Sequence, residues 1–200
     1  MTGRTLVAGV GNVFLRDDAF GVEVARLLAE QPLPPGVQVG DFGIRGVHLV
    51  YELLDGCDLF VLVDAAARGE EPGTVTVLEV ELPGPDALPR PVMDAHSLNP
   101  DSIFALLSSL GGHPGRSLVV ACEPADVSAG MGLSEPVREA VPHAVRAVQD
   151  ILARAASAPA GRQASGQQAG GQQAGGASNP RAPSRRAGRN GQLNRTTEAD

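Results

Sequence analysis

Asp17 and Asp18 stand side by side in GVGNVFLRDDAFG, Gly9 to Gly21, just after a glycine-rich turn. Like charges on neighbouring residues gain nothing from each other, so the pair faces water or works against something cationic. A further acid, Asp64, closes the apolar run DLFVLVD. An imidazole, His96, sits in MDAHSLNP, where Asp94 could orient its second nitrogen. Asp18, Asp64 and His96 come from three separate segments. Gathered at one sheet edge, two carboxylates and an imidazole make a divalent-metal site with open positions.

Each residue also has a plainer explanation. An acid at a helix start caps free N–H groups and meets the positive end of the dipole. That accounts for one of Asp17 and Asp18, not for both. Acids that end strands often cap the next turn, and a lone histidine is more often structural than a ligand. His48 and His113 read as surface or loop residues, and His143 follows Pro142 on the last helix. Glu123 ends the last strand, either supporting the same edge or simply solvated.

Other chemistries fit less well. A dinucleotide fingerprint needs a third glycine where Phe14 stands, and Asp17 and Asp18 would repel a pyrophosphate. No HExxH, CxxC or GxSxG motif occurs. A side-chain nucleophile is therefore disfavoured.

The elements that must position these groups follow from the apolar spacing. Residues 5–9 (TLVAG) and 58–64 read as buried strands, 37–42 and 117–122 as further strands, and 74–82 alternates like a half-exposed edge strand. Residues 18–30, 47–54, 97–110 and 133–155 read as helices, with Pro142 expected to kink the last. Alternating strands and helices predict an α/β fold with parallel pairing and helices on both faces. Ligands of such sheets bind outside the carboxyl ends of the strands.

Composition agrees. The chain has 200 residues, 42% hydrophobic and only 3% aromatic, so its core is aliphatic. Residues 1–153 carry 9 Arg, no Lys and 21 acids, which makes nucleic acid an unsuitable partner. Cys57 and Cys122 sit beside apolar runs and read as buried thiols of a reducing compartment. No leader and no membrane-spanning run is apparent, so a cytoplasmic protein is expected. Residues 1–156 read as one catalytic domain. Residues 157–200 read as a disordered Gln/Gly/Arg-rich tail, in which Leu193 is the one large aliphatic residue after position 160. Deleting residues 160–200 should leave the melting temperature nearly unchanged. A calorimetric drop of several degrees would show that the tail packs on the core.

Four ordered segments resemble the hydrogenase maturation proteases, which trim the C-terminus of the large subunit of nickel–iron hydrogenases. GVGNVFLRDDAFG is similar to the family's opening GxGNxxxxDDxxG. DFGIRGVHLVYELLDGCDLFVLVDAA, DAHSLNP and VVACEPADVSAGMGLSEPV continue the likeness over about residues 4–153. The resemblance implies a three-layer α/β/α sandwich on a twisted five-stranded, mostly parallel sheet, with residues 74–82 as the strand that runs against the others. It implies metal contact by Asp18, Asp64 and His96. The metal would be nickel already loaded in the precursor, whose cysteines supply the remaining ligands. Asp or Glu serves at the Asp18 position, and Asp shortens the reach by one methylene. The partner would be the large-subunit precursor, met by a monomer. The long tail departs from the family pattern.

Water could be activated by the metal with Asp18 or Asp64 as base. Alternatively the metal only positions the chain and Asp17 activates the water. Residues 41–46 could wall the cleft. A non-enzymatic metal-delivery or precursor-binding chaperone would use the same three ligands.

Overall fold

The structure, a computed structural model, describes residues 3–80 and 100–157. Five strands form one sheet: β1 (Thr5–Val10), β2 (Val37–Gly43), β3 (Leu59–Ala65), β4 (Val75–Val80) and β5 (Arg116–Cys122). Their spatial order is β2-β1-β3-β5-β4. β1 pairs in parallel with β2 and β3, and β3 with β5. β4 lies at the edge, as its alternating sequence predicts, and is antiparallel to β5, as the family resemblance implies.

Side-chain alternation divides the core into two layers. Val7, Val61, Val63, Leu118 and Val120 pack with Phe20, Val24 and Leu28 of α1 (Phe20–Ala29) and with Val141, Val145 and Val148 of α4 (Glu135–Ser157). Leu6, Ala8, Val10, Phe60, Leu62 and Val119 face the other way. They meet Leu49, Val50 and Leu53 of α2 (Gly46–Leu54) and Ile103, Phe104 and Leu107 of α3 (Pro100–Ser109). Phe60 and Phe104 meet edge to face, centroids 5.8 Å apart. The result is the expected three-layer sandwich.

Two expectations change. The helix predicted from residue 18 begins at Phe20, after a 3-10 turn at Arg16–Ala19, and no side chain caps either start. Asp17 and Asp18 are therefore not helix caps. Pro142 does not interrupt α4, which runs unbroken from Glu135 to Ser157. Position 142 lies two turns into the helix, where flanking Val141 and Val145 are anchored in the core. The glycines add a point of their own. The close helix–strand approach that a fingerprint assigns to position 14 is made by Gly21. A Cβ there would lie 2.1 Å from the Val63 carbonyl oxygen and 2.4 Å from that of Val10. Gly21→Ala should lower stability by about 3 kcal/mol or more, since both obstacles are backbone. Chemical denaturation would measure this.

Residues 81–99, which include His96, and residues 158–200 lie outside the described residues. No described helix is long and apolar enough to cross a membrane.

Candidate active site at the carboxyl ends of β1 and β3

The strand order reverses at β1. The chain leaves β1 through α1 to β2 on one side, while β3 lies on the other side. Such a switch point opens a crevice outside the carboxyl ends of the two central strands. Asp18 follows β1 on the 3-10 turn, and that turn packs against β3. Asp64 is the sixth residue of β3. Topology thus delivers both carboxylates to one crevice.

Each acid is held by a main-chain donor. The Asn12 N–H donates to Asp18 Oδ2 at 2.6 Å, and the Asn12 side chain in turn accepts the Phe14 N–H at 3.0 Å. The Ala65 N–H donates to Asp64 Oδ1 at 2.9 Å. The signals for Asn12 in the sequence are its place in the glycine turn and the N of the GxGN opening. Gly11 permits the arrangement. Its φ is +130°, and a Cβ would sit 1.7 Å from the Asp18 carbonyl oxygen.

The two acids sense each other. Asp64 is 7% exposed. Burial pushes its carboxyl up to about 7, the Asp18 charge adds to the rise, and the Ala65 N–H opposes it. Near neutrality one carboxyl is thus poised to hold or release a proton beside a second carboxylate. That pairing suits general acid–base work or a cation placed between them. Among the described residues no group of three or more His, Cys, Asp or Glu could hold a metal ion. Asp18 and Asp64 are two carboxylates that could hold a cation, and His96 is outside the described residues.

Asp17, adjacent in sequence, does something else. It is fully buried. Its Oδ2 accepts the Ala125 and Asp126 N–H groups and the Ser134 hydroxyl, each at 2.8 Å, and its Oδ1 accepts the Ser134 N–H at 2.6 Å. Burial alone would raise its pKa, but the donors from Ser134, Asp126 and Ala125 outweigh it and hold the carboxyl below its ordinary value. A carboxylate occupied in this way, with no surface exposed, has no access to water in the crevice. Asp17 therefore does not serve as the water-activating base; it ties the turn carrying Asp18 to the loop after β5. Ser134, its main partner, escaped the sequence reading.

Glu123 is likewise neither free nor solvated. It accepts the Arg68 N–H at 2.6 Å and the Gly69 N–H at 3.3 Å, which fastens the loop leaving Asp64. Those donors, Arg68 first, keep its pKa low. Both cysteines are free and buried. Burial, with Asp17 and Glu123 adding, pushes the Cys122 thiol up to about 12, and burial also raises Cys57. Neither can be a thiolate nucleophile near neutral pH.

Comparison with known proteins decides the family. The family model described as hydrogenase maturation protease (HycI) matches residues 22–151. The chain belongs to the hydrogenase maturation protease family. It is therefore a hydrolase of peptide bonds, as its relatives are named. It is 33% identical to the hydrogenase expression/formation protein HupM of Azotobacter chroococcum over 69% of this chain and 68% of that one. It is 30% identical to HoxM of Azotobacter vinelandii over 78% and 76%. Among solved structures, the hydrogenase maturating endopeptidase HybD of E. coli superposes with a TM-score of 0.63 at 27% identity, covering 76% of this protease and 93% of HybD. A hydrogenase 2 maturation peptidase from a Thaumarchaeota archaeon gives 0.59 at 31% identity over 74% and 97%.

Proposed function

We propose that this protease removes the C-terminal extension of the large-subunit precursor of a nickel–iron hydrogenase, and that it recognises the precursor through the nickel it carries. Asp18, Asp64 and His96 supply the protease's ligands to that ion. The observation that carries the reading is the convergence of two carboxylates, one buried, at the switch-point crevice. The Asp18 charge acts on Asp64, which is buried, and an incoming cation relieves that repulsion. Imidazole and carboxylate both suit nickel.

The buried acid also explains selectivity for a loaded substrate. Near neutral pH Asp64 retains its proton for part of the time, which weakens the pair as a trap for free ions. Docking of the precursor brings its own ligands and the ion together, and Asp64 gives up its proton as the cation arrives. Asp18 or Asp64 then serves as base toward the attacking water. The reaction takes place in a reducing compartment, the cytoplasm, to which the two free buried thiols are suited, and the working unit is a monomer.

The test is intact-mass spectrometry of nickel-loaded and nickel-free precursor after incubation with the protease. Release of a C-terminal peptide from the loaded form alone is expected. Equal cleavage of both forms would remove nickel recognition, and stable binding with no mass change would remove proteolysis. In the same assay His96→Ala should cut processing by about 100-fold or more, with the far-ultraviolet circular dichroism unchanged.

A further inference from the structure

The turn that carries Asp18 is fused to the loop after β5 by a short ladder. Leu15 and Gly130 form a parallel bridge. The Gly130 N–H donates to the Phe14 carbonyl at 2.9 Å, and the Arg16 N–H donates to the Gly130 carbonyl at 3.1 Å. Beneath it, buried Asp17 clamps Ala125, Asp126 and Ser134. The result is an ordered lip beside the crevice.

What this lip presents outward is mainly apolar. Phe14 is 64% exposed, Met131 72% and Val127 51%. The nearby charges are already matched: Arg16 Nε lies 3.2 Å from Asp126 Oδ2, and Asp17 is buried. Scattered exposed apolar residues are ordinary, but here three occur on two segments locked together next to Asp18. Side chains on a pre-ordered backbone bind without a large ordering cost.

We infer that Phe14, Val127 and Met131 form a docking lip for the apolar surface of the hydrogenase precursor next to the bond to be cut. The inference rests on the proposed processing function and adds the place where the folded substrate is gripped. A second copy of the chain is the poorer occupant, because Phe14 stands on the same turn region as Asp18, where the precursor must be received. The lip acts through ground-state binding, common to substrate and transition state, so its loss raises KM and leaves kcat nearly intact.

The experiment compares full-length wild type with Phe14→Ser, Met131→Ser and the double variant. Leu110→Ser, exposed at the opposite end of the sheet, is the control. Precursor cleavage kinetics, affinity by calorimetry for nickel-free precursor, which is not cut, thermal melting and sedimentation are measured on each. Each lip variant should raise KM and Kd by about tenfold, and the double variant by more, with unchanged melting and with Leu110→Ser at wild-type values. Unchanged KM and Kd in the double variant would overturn the lip while leaving the enzyme reading intact. A wild-type dimer that the lip variants dissociate, with KM unaltered, would assign the surface to a second copy instead. A wild type that neither binds nor cleaves the precursor would overturn both.

Discussion

Asp64→Asn will abolish processing, lowering kcat/KM by about 1,000-fold or more, and will make the protein more stable above pH 7. The variant keeps the shape of the side chain and an oxygen for the Ala65 N–H. It removes the charge, which is what the crevice needs for a cation or a proton transfer. The stability gain has the same origin. Burial, helped by Asp18, raises the folded-state pKa from 3.8 to about 7. Below about pH 4 the acid is protonated both folded and unfolded, and wild type and variant should match. As pH rises from about 4 to about 7 the unfolded chain gives up the proton while the folded one keeps it, so wild-type stability falls. Above that window the full cost remains, on the order of 4 kcal/mol at about 1.4 kcal/mol per unit. Melting in metal-free buffer at pH 8 should therefore be at least about 5 °C higher for Asp64→Asn, and equal at pH 3.5. A variant that processes normally, or one destabilised at pH 8, would show that Asp64 is not a strained functional acid.

Asp17→Ala should have the opposite signature. Four donors lose their acceptor, three of them main-chain N–H groups in a buried setting. A loss of about 3–5 kcal/mol is expected, which in a domain of this size lowers the melting temperature by about 10 °C. The pH dependence is also reversed. Because the folded-state pKa is depressed, Asp17 stabilises the fold above its unfolded pKa of about 3.9, and that stability is lost as pH falls through the folded value. The gap between wild type and Asp17→Ala should close in acid. Below its melting point the variant should still bind precursor but cleave it slowly, because the turn holding Asp18 has lost its tether. Wild-type kcat in a folded variant would show that the clamp does not position Asp18.

These two neighbours show where the sequence could and could not be read. Both are aspartates on one turn, and nothing local tells them apart. The difference comes from backbone groups 108 to 117 residues away, at Ala125, Asp126 and Ser134, and a main-chain N–H carries no sequence signal. The strands were far more legible. Those buried on both faces are continuous aliphatic runs, and β4, with one exposed face, alternates. Asp64 was legible for the same reason, as an acid ending such a run. Pro142 misled because its cost is local while the helix around it is held by many core contacts. The role of Gly21 was not legible, because close approach depends on where α1 crosses β3, which spacing along the chain does not specify.

Nickel itself gives the most direct measurement of the grip by Asp18 and Asp64. X-ray absorption at the nickel edge should be recorded on loaded precursor alone, with excess protease, and with the Asp18→Ala/Asp64→Ala double variant. Wild type should add oxygen or nitrogen ligands to the nickel, and the double variant should leave the precursor spectrum unchanged. A spectrum that wild type does not alter, under conditions where the peptide is still released, would contradict direct coordination by these acids.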